Sequence, residues 1–338
     1  MRFEFYHEGL NAAAPLLSVD GTVEGALHLS HWEGNETPEE LRADTSTEIA
    51  LNFAAWPRRD EWAQGVEVVT NNHFDADGVL SVWSVLNGGR APALRDELIA
   101  AAEAGDFSEF PNEDAVRVSI LLQGGDNPFV PGVNSPLVEH LAGGAKVSES
   151  RAYELVLPEV ENVLKRTGEY EPLWRAGWAQ IERTLESFAG GRSRVAEDAE
   201  HKLSVVTLAG DFYGPGGFDP SRHAAPYTAL AHHARGEVIL VATPYAGGWA
   251  YRIDHAYYSW AETYRRPRVA RRNLSGLVGR LNVLERGRGV WKADRSELTS
   301  AVKFFGHDNA PAASRLEPEE VAAELREALK GQAAPVTI

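Results

Sequence analysis

Strand-like and helix-like segments alternate through the N-terminal part of the chain, and that alternation leaves few architectures open. Arg2-Phe3-Glu4-Phe5-Tyr6 alternates apolar and polar residues, and Ala26 to His31 is a second strand-like run. Thr45-Ser46-Thr47-Glu48 carries a capping-box pattern and opens a helix through Ile49, Leu51, Phe53 and Ala54 that stops at Pro57. Val66 to Asn71 reads as the next strand, and Gly78 to Leu86 as a helix with Val79, Val82, Trp83 and Leu86 on one face. Strand–helix–strand–helix order is the signature of a parallel sheet with crossover helices. Open parallel sheets bind ligands beyond the carboxyl ends of their strands. Two loops leave such ends here. One holds His31, and the other holds His73, Asp75 and Asp77.

Farther along, residues 92–105, 112–123, 151–166 and 173–189 read as helices, and residues 190–194 as a Gly-rich linker. Strands are then expected at 203–208, 237–242 and 249–259, and helices at 273–285 and 317–330. A chain of 338 residues fits about two domains. The expected fold class is α/β: a parallel sheet with flanking helices over residues 1–190, plus a smaller mixed α+β second domain over 200–338.

Composition narrows the chemistry. The chain contains no Cys, which excludes disulfides, zinc–thiolate sites, iron–sulfur clusters and cysteine nucleophiles. Any metal must be held by His and carboxylates. With 33 Lys+Arg against 49 Asp+Glu, the net charge of -16 argues against nonspecific coating of duplex DNA or an anionic membrane. The first twenty residues lack the basic start and apolar run of a signal peptide, and no apolar stretch is long enough to span a bilayer, so a cytoplasmic location is expected. A P-loop, G-x-G-x-x-G after a strand, G-x-S-x-G and His-Glu-x-x-His are all missing from the sequence, which argues against ATPases, simple NAD dehydrogenases, α/β-hydrolases and zincin proteases.

His73-Phe74-Asp75-Ala76-Asp77-Gly78 places three potential ligands at alternate positions directly after a strand. Residues two apart in extended backbone point to the same side, so one imidazole and two carboxylates converge. Imidazole with carboxylate suits Mn²⁺, Zn²⁺ or Fe²⁺ better than Ca²⁺. The competing reading is structural: Asp75 and Asp77 cap the helix, and His73 is a loop histidine.

The run His73-x-Asp75-Ala76-Asp77-Gly78-x-x-Ser81 resembles the first motif of the DHH phosphoesterase superfamily, over about nine residues in a strand–loop–helix context. The superfamily includes single-strand-specific exonucleases, small-RNA and dinucleotide phosphodiesterases and manganese pyrophosphatases. The resemblance implies a DHH-like domain with a pair of divalent metals, Mn²⁺ in the first instance and Zn²⁺, Fe²⁺ or Mg²⁺ as alternatives. It assigns His73 and Asp75 to one metal and Asp77 to the other. The Asp-His-His triplet that follows this motif in the family has no counterpart here. Its nearest echo, Ser30-His31-Trp32-Glu33-Gly34-Asn35 followed by Asp44-Thr45-Ser46-Thr47-Glu48, precedes the motif, as in a rearranged or divergent member. That run, taken together with His73-Phe74-Asp75-x-Asp77-Gly78, also looks like an uncharacterised bacterial family.

Other candidates carry two readings each. His31 is a catalytic or phosphate contact, or a packed loop histidine. The family requires a further Asp bridging the metals, and Asp106 is the candidate catalytic and metal residue; otherwise it closes a turn after a helix. Residues 265–295 hold ten Lys/Arg and two acids, and Arg265, Arg266, Arg268, Arg271 and Arg272 form a candidate substrate-binding cluster. Alternatively they form a salt-bridged face.

The leading functional reading is a divalent-metal-dependent phosphoesterase that uses metal-activated water on a small nucleotide or a short single-stranded nucleic acid. Duplex DNA and membrane are not expected partners, and a homodimer is compatible with the chain. The alternative is a noncatalytic nucleotide- or metal-binding protein of the same fold, favoured by the missing triplet. A third reading is a metal-dependent hydrolase of a non-phosphate substrate.

Overall fold

The computed structural model describes the whole chain except residues 9, 11–14, 126–132, 211–224, 270, 294–299 and 331–338. It is an α/β protein of two compact units. One comprises Met1–Ala179 with Ala261–Arg268, and the other Gln180–Trp260 with Val269–Ile338. The eight residues 261–268 therefore belong with the first unit, although most of the second precedes them in sequence.

The first unit is built on four parallel strands: β1 (Arg2–Phe3), β2 (Leu16–Val19), β3 (Leu27–Leu29) and β4 (Val68–Thr70), in spatial order β1-β4-β2-β3. Leu17 pairs with Leu27 and Val69, and all four residues of β2 are buried. A central parallel strand covered on both faces reads as a short apolar run without alternation, so period-2 patterning passes over β2. The expected N-terminal strand contracts to Arg2–Phe3, although Glu4 and Tyr6 still donate backbone N–H groups to Val69 and Asn71 carbonyls. Because the strands are parallel, Asp20, Ser30-His31 and Asn71-to-Asp77 all leave the same sheet edge.

Helices surround this sheet: α1 (Ser46–Ala55), α2 (Arg59–Trp62), α3 (Ala76–Leu86), α4 (Arg95–Asp106), α5 (Glu113–Gln123), α6 (Pro136–Leu141), α7 (Glu149–Val156), α8 (Val160–Lys165) and α9 (Glu171–Ala189), the last running past the unit boundary. Thr45 caps α1 by accepting the Glu48 N–H, as its sequence pattern indicates. The Glu48 carboxylate does not return to the cap and instead meets Arg95 and Arg265. The single helix expected over 151–166 is two helices separated by a 3₁₀ turn at Leu157–Glu159, where Pro158 lacks the N–H that an uninterrupted helix needs.

The second unit carries a six-stranded mixed sheet: β5 (Arg194–Asp198), β6 (Leu203–Thr207), β7 (Val238–Tyr245), β8 (Gly248–His255), β9 (Val290–Ala293) and β10 (Ser300–Phe305), in order β5-β6-β7-β8-β10-β9. Among the described residues of this sheet, only β6 and β7 pair in parallel. The β7–β8 hairpin turns through Ala246 and Gly247, both at positive φ, the geometry that matches strand twist. The strand expected over 249–259 ends at His255, and Tyr257–Trp260 forms a 3₁₀ turn. Helix α10 is Tyr227–His233, α11 is Ser275–Glu285 and α12 is Pro318–Leu329. Alternate residues of β7 serve different clusters: Leu240 and Ala242 pack with Leu277, Leu281, Val321 and Leu325, while Val241 packs with Val206 and Leu230.

Within the first unit, the returning segment 261–268 is tied down by one buried carboxylate. Asp44 accepts the backbone N–H groups of Tyr264, Arg265 and Arg266, and a fourth hydrogen bond from the Arg266 guanidinium at 2.7 Å. Arg266 also pairs with Glu103 and Glu109 at 2.8 and 2.6 Å, and lies over the Phe107 ring. Without Asp44, Arg266 would keep Glu103 and Glu109, but three backbone N–H groups would lose a charged acceptor. Each that stays unsatisfied costs about 1–3 kcal/mol, so a total of about 3–5 kcal/mol is reached when most of them do. Asp44→Ala is accordingly expected to lower unfolding free energy by about that amount, read from urea denaturation. A loss below about 1 kcal/mol would place the segment's anchorage elsewhere.

Candidate metal centre

Six side chains converge at the carboxyl edge of the parallel sheet. Asp20 follows β2 directly and takes the left-handed conformation, φ 70°, that few residues other than Gly, Asn and Asp tolerate. His31 lies two residues beyond β3. His73 lies in the loop after β4, Asp75 caps α3, Asp77 lies in its first turn, and Asp106 is the last residue of α4. The structure thus brings together His31, His73, Asp75, Asp77 and Asp106, and puts Asp20 among them.

The cluster divides into two groups that share Asp20. Asp20, His73 and Asp75 form one, and Asp20, His31, Asp77 and Asp106 the other; within each, one ligand atom per residue lies within 4.8 Å of all the rest. His73 Nε2 is 2.8 Å from Asp20 Oδ2 and 3.1 Å from Asp75 Oδ2. His31 Nε2 is 3.0 Å from Asp106 Oδ2, 3.7 Å from Asp20 Oδ1 and 3.8 Å from Asp77 Oδ2. The two oxygens of Asp20 therefore face different histidines.

The capping reading of the aspartates after β4 holds for Asp75 and fails for Asp77. Asp75 Oδ1 accepts the Gly78 N–H at 2.7 Å as the α3 cap, and its other oxygen faces His73. Asp77 does not cap its own helix. Its two oxygens accept the Ser46 and Thr47 N–H groups at 2.7 and 2.8 Å, at the start of α1. That helix terminus orients a carboxylate inside the cluster.

The imidazoles are set by their outer nitrogens. His31 Nδ1 lies 2.6 Å from the Asp44 carbonyl, and His73 Nδ1 lies 2.8 Å from Asn72 Oδ1. Both partners are acceptors, so each Nδ1 carries a proton, and each Nε2 faces the carboxylates, where it holds the second proton of a cation or, once that proton leaves, offers its lone pair to a metal. Behind His73, Tyr153 donates to the His73 carbonyl and accepts from Asn71 Nδ2 at 2.9 Å. Gly78 sits against this pair: a Cβ there would come 2.5 Å from Asn71 Nδ2 and 2.7 Å from Tyr153 Oη, so only glycine fits. Gln123 joins the start of α3 to the end of α4, accepting the Ala76 N–H and donating to the Gly105 carbonyl beside Asp106.

Burial and crowding shift the titrations. Burial disfavours the His31 cation, but its hydrogen bond to Asp106 and the charges of Asp106, Asp77 and Asp20 outweigh that and hold it up at about 10. Burial, reinforced by the Asp20 charge, pushes Asp77 up to about 7. Burial likewise raises Asp106, with Asp75 and Asp77 adding to the effect. Burial opposes the charged form of Asp20 as well, yet the neighbouring His73 and His31 cations win and hold its carboxyl low.

The sequence pattern singled out five of the six residues. Asp20 was missed because its signal is slight: an Asp-Gly pair ending a four-residue strand that has no alternation. Among the candidate substrate arginines, Arg265 pairs with Glu48, and Arg266 with Asp44, Glu103 and Glu109. Arg268 lies exposed at the end of the returning segment. Arg271 and Arg272 belong to the second unit, where Arg272 faces Glu237 at 3.6 Å.

The raised pKa values carry a testable linkage. Asp77 goes from its ordinary 3.8 to about 7 on folding, and His31 from 6.5 to about 10. In both intervals the folded protein holds protons that the unfolded chain has released, so stability falls as pH rises. For His31 the stabilisation is complete below 6.5 and is lost toward about 10. In EDTA, Tm is expected to fall steadily as pH rises above about 6.5. A divalent metal competes with those protons, so Mn²⁺ is expected to raise Tm more at about pH 8 than at about pH 6. Equal shifts at both pH values would separate metal binding from this cluster.

Among the described residues, no helix is long and apolar enough to cross a membrane. A search of the curated proteins gives no match. Among solved structures, the chain is similar to a pGpG-specific phosphodiesterase, PggH, from Vibrio cholerae, at 11% identity and a TM-score of 0.33, over 94% of this chain and 99% of that one. A family model described as "Family of unknown function (DUF6687)" matches residues 2–337, and the chain belongs to that family.

Proposed function

We propose that the protein is a divalent-metal-dependent phosphoesterase acting on a small nucleotide or a short single-stranded nucleic acid. The observation that carries this reading is the Asp20 carboxylate, one oxygen turned to His73 and the other to His31, each within its own set of carboxylates. Paired metals in phosphate-processing sites lie about 3.5–4 Å apart, a spacing that a shared carboxylate spans.

The donors fit such a pair. Asp20 Oδ1 is buried without a hydrogen bond of normal geometry among the described residues, and so is His73 Nε2, although two carboxylates lie close to it. Atoms buried in that way are costly unless something else satisfies them. Two imidazoles and four carboxylates without thiolate suit Mn²⁺, Zn²⁺, Fe²⁺ or Mg²⁺. His73, Asp75 and Asp20 would hold one cation, and Asp20, His31, Asp77 and Asp106 the other. Bound there, the pair would supply Lewis acidity toward a phosphoryl oxygen and lower the pKa of water.

The chain's own contribution is to hold these groups in place. The Ser46 and Thr47 N–H groups fix Asp77, the Asp44 carbonyl fixes the His31 tautomer, and Asn72 fixes that of His73. Ligands locked by such contacts need little rearrangement when they are used.

Elemental analysis of protein stripped with EDTA and reloaded with Mn²⁺ tests the reading. Wild type is expected to retain two equivalents, His73→Ala one, and Asp20→Asn fewer than one. Hydrolysis across a panel of nucleotides and short single strands is expected to fall at least about a hundredfold in both variants, as when metal ligation is disturbed. Equal metal content in all three proteins would overturn the site. Full metal uptake with no hydrolysis of any phosphoester would leave a binding protein.

A further inference from the structure

A cavity of about 270 Å³ adjoins the centre within the first unit and shares His31 with it. Arg42 and Ala43 form part of its wall, and the returning segment supplies Glu262, Tyr264 and Arg268. The backbone of that segment is fixed at two points: Glu262 N–H donates to the His31 carbonyl at 2.8 Å, and Asp44 holds residues 264–266. The wall is therefore as firmly placed as His31 itself.

The arginines of this region fall into two kinds. Arg265 and Arg266 are spent on carboxylates. Arg42 and Arg268 make no ion pair among the described residues, and the Arg42 side chain donates from Nε to the Thr37 carbonyl at 3.3 Å. The acidic residue of the wall, Glu262, is turned onto the Gly34 N–H and Asn35 Nδ2, the latter at 3.0 Å. Two guanidinium groups without counter-ions among the described residues thus line a cavity in a protein of net charge -16. Guanidinium forks match phosphate oxygens in shape and charge. Tyr264, 64% exposed, adds an aromatic face of the kind on which bases stack. The volume lies below the roughly 300–1,000 Å³ typical of sites that enclose a whole drug-sized ligand, and suits one end of a substrate.

We propose that this cavity is a subsite for a terminal phosphate of a short nucleotide substrate, held by Arg42 and Arg268, with Tyr264 against the adjoining base. The assignment rests on the phosphoesterase reading, in which the scissile phosphate lies at the centre on the other side of His31. It deepens that reading by selecting substrates with a second, nonreacting phosphate.

The test uses dinucleotides whose internal linkage is a methylphosphonate, which is uncharged and resists hydrolysis. Each carries a 5′-phosphate, a 3′-phosphate or neither, and binding is measured by calorimetry on the full-length protein in EDTA. One phosphorylated form is expected to bind wild type about ten- to hundredfold more tightly than the unphosphorylated one, the affinity equivalent of a charge-assisted hydrogen bond. Arg42→Ala and Arg268→Ala are each expected to remove most of that preference, and Arg268→Lys to restore part of it. Mn²⁺ uptake, measured in parallel, should match wild type in all three variants. Wild type that takes up no Mn²⁺ would overturn the phosphoesterase reading on which the substrate assignment depends, while the EDTA titrations still decide phosphate binding. Equal affinity for all three dinucleotides, or a preference that survives both alanine substitutions, would overturn the subsite.

Discussion

Mutual repulsion among buried carboxylates is the constraint around which the first unit is arranged. Asp20, Asp75, Asp77 and Asp106 stand close together at one sheet edge, largely withdrawn from water. Buried anions at such spacing are unfavourable unless protons, cations or fixed dipoles answer them. The chain supplies fixed answers to only some of the oxygens: the α1 terminus for Asp77, the α3 N–H of Gly78 for Asp75, and the two imidazoles between them. A hydrophobic centre of the same volume would be easier to fold, so this arrangement costs stability that an ordinary core would not. Such costs concentrate where a protein has work to do.

Much of this was legible in the residues. His73-x-Asp75-x-Asp77 sits after a strand and before a helix, and the structure puts it at that junction. His31 could be placed at the same edge because parallel strands deliver their loops to one side. Asp20 could not, because β2 is a four-residue, mostly apolar run indistinguishable by period from a buried helix turn. The capping pattern at Thr45 located the start of α1 correctly but misdirected its glutamate, since local patterns do not register an arginine brought in from more than two hundred residues away. The strands β5 and β9 were also illegible, being half-buried or short.

The basic segment shows the same limit from another direction. Composition marks residues 265–295 as cationic but cannot say which charges are already answered. The structure separates them one by one: Arg266 lies within hydrogen-bond reach of three carboxylates, whereas Arg268, two residues on, pairs with none among the described residues. Net charge is a property of a stretch of chain, whereas the ability to take up an anion belongs to individual side chains and their neighbours.

The return of residues 261–268 to the first unit also fixes an order of assembly. Asp44 and the His31 carbonyl meet their partners only after the chain has been made through Arg268. A ribosome that has released the parallel sheet and all six cluster residues has not yet released the segment that closes over them. Until it does, Asp44 has no donors from 264–266, and the cavity beside His31 lacks one wall. A gene fragment ending near residue 180 would encode every cluster residue and still give an incomplete unit. The natural boundary of this half of the molecule follows a path in space that no single cut in the sequence reproduces.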